Sequence, residues 1–200
     1  KEPDILLITK KINKDPVISA KLSRLANSAK FGGNRQVATV NEAVVRLGVD
    51  VVRNMVLACG LTGSIHSVPG IDLRHFWGNV FEVAELSRLL ARLKGMKGEE
   101  VFTCALLFDM GRLIMHVGLP ENMVNHIQDL EPSKGRAKAE ELVVGFNYAQ
   151  TGAEMARRWQ FPLSICHAVE YHYNPMLAKE FSVEAGLIHL AIALAAQSDV

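Results

Sequence analysis

The stretch Val101–Val117, VFTCALLFDMGRLIMHV, restricts this chain more than any other. Apolar residues cover nearly every face of a helix drawn through it, so it belongs inside a domain and not on its surface. Within it stand Asp109, Gly111 and Arg112. An ionised carboxylate is not left alone in an apolar interior, so Asp109 must be paired, hydrogen-bonded or bound to a metal. Which of these holds separates a catalytic domain from a non-catalytic module.

Around that run the chain reads as all-α. Strand signals are nearly absent, and no Asn-Gly or Asp-Gly hairpin turn occurs. Pro3 and Pro16 sit in the first turns of helices near 3–13 and 16–27, and the loop SAKFGG follows. Thr39-x-x-Glu42 reads as a capping box opening a short helix to Leu47, with Gly48 as its stop. Asp50 caps a longer helix to about Ile65, and Pro69-Gly70 is the best boundary. The spacing then predicts a helix from about Asp72 to Leu93, the buried central helix, and helices near 120–129, 136–144, 147–159, 162–173 and 182–197. Pro132, Gly145 and Pro175 read as breaks. The expected organisation is an N-terminal bundle, residues 1–68, packed on a larger C-terminal bundle, residues 69–200.

Two hundred residues can bury a real core, and the 49% hydrophobic content suits a compact fold. Val51–Ile65 and Val183–Ala196 come nearest to a membrane span but are short and interrupted, so no membrane association is expected. The opening KEPDILLITKKINKD is charged throughout and does not read as a signal peptide; its start on Lys reads as a piece of a longer polypeptide. Cys59, Cys104 and Cys166 are odd in number and lie in apolar runs, the pattern of reduced core thiols in a cytoplasmic protein. Residues 1–66 carry ten Lys and Arg against five Asp and Glu, and the remainder twelve against sixteen. The basic third is scattered and lacks interleaved aromatics, so a solvated helical surface is expected in place of a nucleic-acid interface. The helices joined at Leu47-Gly48-Val49 suggest a helix-turn-helix, but VVRNMVLACGLTGSI offers few side chains to read bases.

Several stretches in order, ISAKLSRLANSAKFGG, TVNEAVVRLGVDVVRNMVL, HFWGNVFEVAELSRLLA, ALLFDMGRLIM and ARRWQFPLSICHAVEYHYNP, resemble the HDOD domain over nearly the whole chain. LANSAKFG, NEAVVRLG and Trp159-Gln160-Phe161-Pro162 are the most specific of them. The resemblance implies a bacterial signalling domain related to the HD metal-dependent phosphohydrolases, with an added N-terminal bundle. In catalytic HD proteins a His-Asp pair stands where this chain has Phe108-Asp109, an upstream His near Asn79, and a last Asp near Ile192; Tyr148 stands where relatives often carry His. Two imidazoles and two carboxylates hold a divalent ion while leaving a place for water, whose pKa the ion lowers. Here Phe108 and Ile192 cannot ligate and Asn79 is a poor ligand for a transition metal. The pocket of Asp109, Asn79, Phe108, Tyr148 and Ile192 is therefore expected to be vestigial, with no catalytic residue, metal or cofactor. Asp109 is expected to accept hydrogen bonds from Asn79, Tyr148, a nearby His or the Trp77 indole.

Other readings are narrower. His167 and His172 are five apart, not the three or four that share a helix face, although with His189 they form an alternative metal set. His116 and His189 read as core histidines, and His66, His75 and His126 as surface positions. No Gly-x-Ser-x-Gly elbow, Walker loop or dinucleotide fingerprint is present. Cys104 and Cys166 lie in apolar surroundings that make thiols inert, and Trp77, Trp159 and Phe161 read as core anchors. The expectation is a non-catalytic regulatory module that contacts a protein partner or a sister signalling domain, its two bundles meeting across a crevice near Asp109, Asn79 and Tyr148. A small-molecule ligand stays open. The alternative is a metal-dependent phosphohydrolase, cyclic-dinucleotide phosphodiesterase-like, with a rearranged site.

Overall fold

The structure, a computed structural model, describes residues 39–49 and 70–198 together with Thr9, Ile12, Leu22, Ala26, Val52 and Val68. The chain divides into two compact units, residues 1–66 and 67–200. The helices expected near 3–13, 16–27 and 50–65, the SAKFGG loop, Cys59 and His66 lie largely or wholly outside the described residues.

In the first unit, α1 (Val40–Leu47) forms as its ends dictate. Thr39 Oγ1 accepts from the Glu42 amide at 3.2 Å, and the Glu42 carboxylate accepts from the Thr39 amide at 3.3 Å, closing the capping box. Gly48 ends the helix at φ 84°, a conformation that costs a side-chain-bearing residue.

The second unit carries α2 (Leu73–Leu93), α3 (Gly98–Leu107), α4 (Met110–Gly118), α5 (Glu121–Lys134), α6 (Arg136–Val144), α7 (Tyr148–Arg158), α8 (Leu163–Tyr171) and α9 (Val183–Ser198), with a 3-10 turn at Pro175–Leu177. The described residues contain no strand, only an isolated bridge between Val68 and Ile71. Asp72 Oδ1 caps α2 by accepting from the Arg74 and His75 amides. Asn147 and Gln150 form a second capping box at the start of α7. The motif Trp159-Gln160-Phe161-Pro162 closes α7: the Phe161 amide donates to Ala156 and that of Gln160 to Arg157, with Gln160 left-handed at φ 60°. This is a Schellman stop with Gln where Gly is usual.

α3 is the centre of the core. Val101 through Leu107 are all buried, and α2, α8 and α9 pack around it. By length and composition Gly98–Gly118 is apolar enough to cross a membrane, yet most of it is buried inside the protein, as a core segment would be.

Two expectations are corrected. The central run is not one helix: it breaks at Phe108-Asp109, where Asp109 takes φ −105°, ψ 8° and α4 starts afresh. The cause is visible one turn on. A Cβ on Gly111 would lie 1.9 Å from the Tyr148 carbonyl oxygen and 2.6 Å from the Gly152 amide nitrogen, so α4 is aimed to meet α7 backbone to backbone. Pro132, read as a break, lies inside α5, which runs on to Lys134 and stops at Gly135 with φ 77°. Near the C-terminal end of a helix a proline interrupts only one bond to the preceding turn.

Candidate functional site

The break between α3 and α4 places Asp109 at the head of α4, 6% exposed. Its side chain caps no amide of that helix. Among the described residues it forms one ion pair, with Arg112 one turn on, whose Nη1 lies 3.7 Å from Asp109 Oδ2, too long for a direct hydrogen bond. Burial pushes the Asp109 carboxyl up to about 6, against the pull of Arg112 and then Arg136. The expected partners for Asp109 were Asn79, Tyr148, a histidine or Trp77; the guanidinium of its own helix fills that role. Arg112 Nε is itself buried and has no hydrogen-bond partner among the described residues.

A second buried acid stands beside it. Glu140 on α6, 2% exposed, accepts the Tyr148 amide at 2.6 Å. Burial pushes its carboxyl up to about 7, opposed by that amide and by Arg136, while Asp109 and Glu131 add to the rise. Arg136 Nη2 meets both oxygens of Glu131, at 2.7 and 2.8 Å. Asp109 and Glu140 thus both lie in the field of Arg136 and its partner Glu131, and Asp109 also in that of Arg112.

The Tyr148 side chain turns to His172, which is fully buried. His172 Nδ1 lies 2.7 Å from the Val169 carbonyl, which can only accept, so Nδ1 carries the proton and Nε2 accepts from the Tyr148 hydroxyl at 3.1 Å. Burial pushes the imidazole down to about 4, so it is neutral at pH 7. The Phe108 ring stands edge-on to it at 5.2 Å. Burial, with Asp109 and Glu140 nearby, raises the Tyr148 phenol.

Of the five residues expected to line a vestigial pocket, Phe108, Asp109 and Tyr148 therefore share one neighbourhood. Asn79 on α2 and Ile192 on α9 are half-buried, and among the described residues no hydrogen bond joins Asn79 to Asp109. The alternative histidine set does not assemble: His167 is exposed, and His189 donates Nδ1–H to the His172 carbonyl. His189, expected in the core, is exposed, and His116 is half-buried with Nδ1 on the Arg112 carbonyl. Cys104 and Cys166 are buried thiols with raised pKa, Cys104 chiefly through desolvation. Trp77 is buried between Phe76 and Phe81, while Trp159 and Phe161 are half-buried. Glu131, Arg136 and Glu140 escaped the sequence reading, because on charged helices they look like solvated residues.

The HDOD domain model matches residues 1–175. The chain belongs to the HDOD family. A solved protein from Shewanella amazonensis SB2B, named as a candidate phosphohydrolase, is 34% identical with a TM-score of 0.81, over all of this HDOD chain and 72% of its own. One from Marinobacter aquaeolei VT8, named as a candidate signal transduction protein, is 22% identical with a TM-score of 0.74, over 98% of this chain and 46% of its own; that likeness is one of fold. A curated relative from Treponema pallidum (strain Nichols), named an uncharacterized protein, is 23% identical over 178 residues, 86% of this chain; the HDOD chain spans 34% of its length.

The fold is thus HD-like, but the side chains of this HDOD domain do not fit the metal centre of catalytic HD proteins. Phe108 has no donor atom and packs on His172, whose two nitrogens are both engaged. Asp109 is paired with Arg112. Among the described residues, no three His, Cys, Asp or Glu side chains converge as a ligand set.

Proposed function

We propose that this HDOD domain is a non-catalytic signal-transduction module that acts through contacts with a partner protein or a sister domain of a longer polypeptide. One observation carries the reading. At the position of the HD pair, an aromatic ring is seated on a neutral histidine and the surviving carboxylate faces an arginine. A guanidinium beside a carboxylate opposes a divalent cation at the same oxygen, and an aromatic ring supplies no ligand. Membership of the HDOD family supports the signalling side, and a relative about two and a half times as long fits action beside a sister domain.

A metal-dependent phosphohydrolase is the second reading, favoured by the 34% identity to a protein named as a candidate for that activity. Elemental analysis of protein purified without chelator or affinity-tag metal separates the two, paired with an assay of bis(p-nitrophenyl) phosphate hydrolysis in added Mn2+. The expected result is no stoichiometric metal and no turnover above that of Asp109→Ala. About one or two metal ions per chain, lost together with turnover in Asp109→Ala, would establish the enzyme instead.

A further inference from the structure

An open pocket of about 470 Å³ lies where the α5–α6 junction meets the turn after α8. Lys134, Arg136 and Lys138 line it from the junction, with Tyr148, Tyr173 and Asn174. Glu141 is the one acid among the described lining residues, so three cations stand against a single carboxylate. Two of the cations are already engaged, unequally. Arg136 is held by Glu131 on both oxygens, whereas Lys138 meets Glu141 at 3.2 Å with the lysine well exposed, a pair that contributes little and opens readily. Lys134 is exposed and forms no ion pair with a described carboxylate. Among the described residues no side chain caps α6; its first main-chain bond is Ala139 to Gly135, which leaves the amides of Arg136, Ala137 and Lys138 ahead of it.

We infer that this pocket binds a small organic anion through its phosphate group. A monocarboxylate brings one negative charge and two oxygens, whereas a phosphate dianion brings two charges and three oxygens and can face Lys134, Lys138 and the head of α6 together. The volume exceeds that of bare phosphate and falls in the range of small-molecule sites, and the two tyrosines and Asn174 offer ring faces and hydrogen-bonding groups to an organic moiety. The pocket borders the position of the HD pair, sharing Tyr148 with it and lined by the Arg136 that acts on Asp109, but the inference does not rest on the signalling reading, because no metal takes part in it.

Calorimetric titration at low salt in EDTA tests the inference, with AMP as the probe and adenosine and inorganic phosphate beside it. AMP is expected to bind saturably at about 1 mM or tighter, and adenosine at least about tenfold more weakly. Saturable binding of inorganic phosphate would show that the phosphate group alone suffices. The variant Lys134→Gln/Lys138→Gln changes two exposed side chains outside the core and should weaken AMP by about tenfold or more. Lys94→Gln, an exposed lysine at the end of α2, should leave it unchanged. No saturable AMP binding, equal binding of adenosine, or full affinity in the double variant would each overturn the site. Loss of AMP binding with metal-free, inactive protein would remove this inference alone and leave the signalling reading in place.

Discussion

Helices α3 and α4 come from one apolar run in the sequence, but they are held in different ways. α3 contacts α2, α8 and α9, and Phe102, Leu106 and Leu107 are completely or almost completely buried. α4 meets α7 where Gly111 faces Tyr148 and Gly152 with no room for a methyl group, and it brings Asp109 and Arg112 into a buried group of charges. Side-chain packing can relax around a change of shape; contact between two backbones cannot. Adding volume should therefore be severe at α4, and removing volume should be the costly change at α3.

The largest effect is expected at Gly111→Ala. A Cβ 1.9 Å from a carbonyl oxygen forces two helices apart, at a cost of about 4 kcal/mol or more in urea unfolding. Stability within about 1 kcal/mol of wild type would break the comparison. Next comes Phe102→Ala, which empties a site with no exposure and should cost about 3–5 kcal/mol, while Phe102→Leu keeps most of the volume and should cost roughly half as much. Equal losses from the two would show that α3 depends on ring shape and not on filled volume.

The smallest effect sharpens the electrostatic side. Asp109 and Glu140 have carboxyls raised in the fold, from 3.8 to about 6 and from 4.5 to about 7, so the stability they contribute is complete below the unfolded values and is lost as pH rises through the folded ones. His172 acts oppositely: lowered from 6.5 to about 4, it contributes fully above pH 6.5, and that contribution is lost as pH falls toward 4. Where these ranges overlap the trends offset each other, but above pH 6.5 only the loss from Glu140 continues, toward about pH 7. Glu140→Gln keeps an oxygen for the Tyr148 amide and removes the charge. It should gain on wild type, between pH 5 and pH 8, by on the order of 2 kcal/mol. Parallel stability curves for the two proteins across that range would show that Glu140 ionises without cost.

Much of this could be read from the residues themselves. The capping box at Thr39 and Glu42, the helix start near Asp72, and helices 136–144 and 147–159 appear within a residue or so of where the sequence put them. Caps and stops act over three or four residues, so their meaning is local. The break at Phe108-Asp109 was hidden because its cause, the Tyr148 backbone, lies about forty positions away. The partner of Asp109 was misread for a related reason: Arg112 was visible one turn along, but an apolar run gives no sign of which way a helix restarts. Glu140 gave no signal at all, since in RAKAEELVV it looks like one more exposed charge until α7 covers it.

The sequence by itself settled the all-α class, most helix ends and the family, because periodicity, capping and motif order are properties of neighbouring residues. The family resemblance also implied an incomplete HD pair, since Phe108 cannot ligate in any fold. Only the tertiary structure decided that Asp109 faces Arg112, that His172 is neutral with both nitrogens engaged, and that Glu140 is buried against Tyr148. Each of those depends on desolvation and on distances between elements far apart in the chain, and neither exists until the helices have packed.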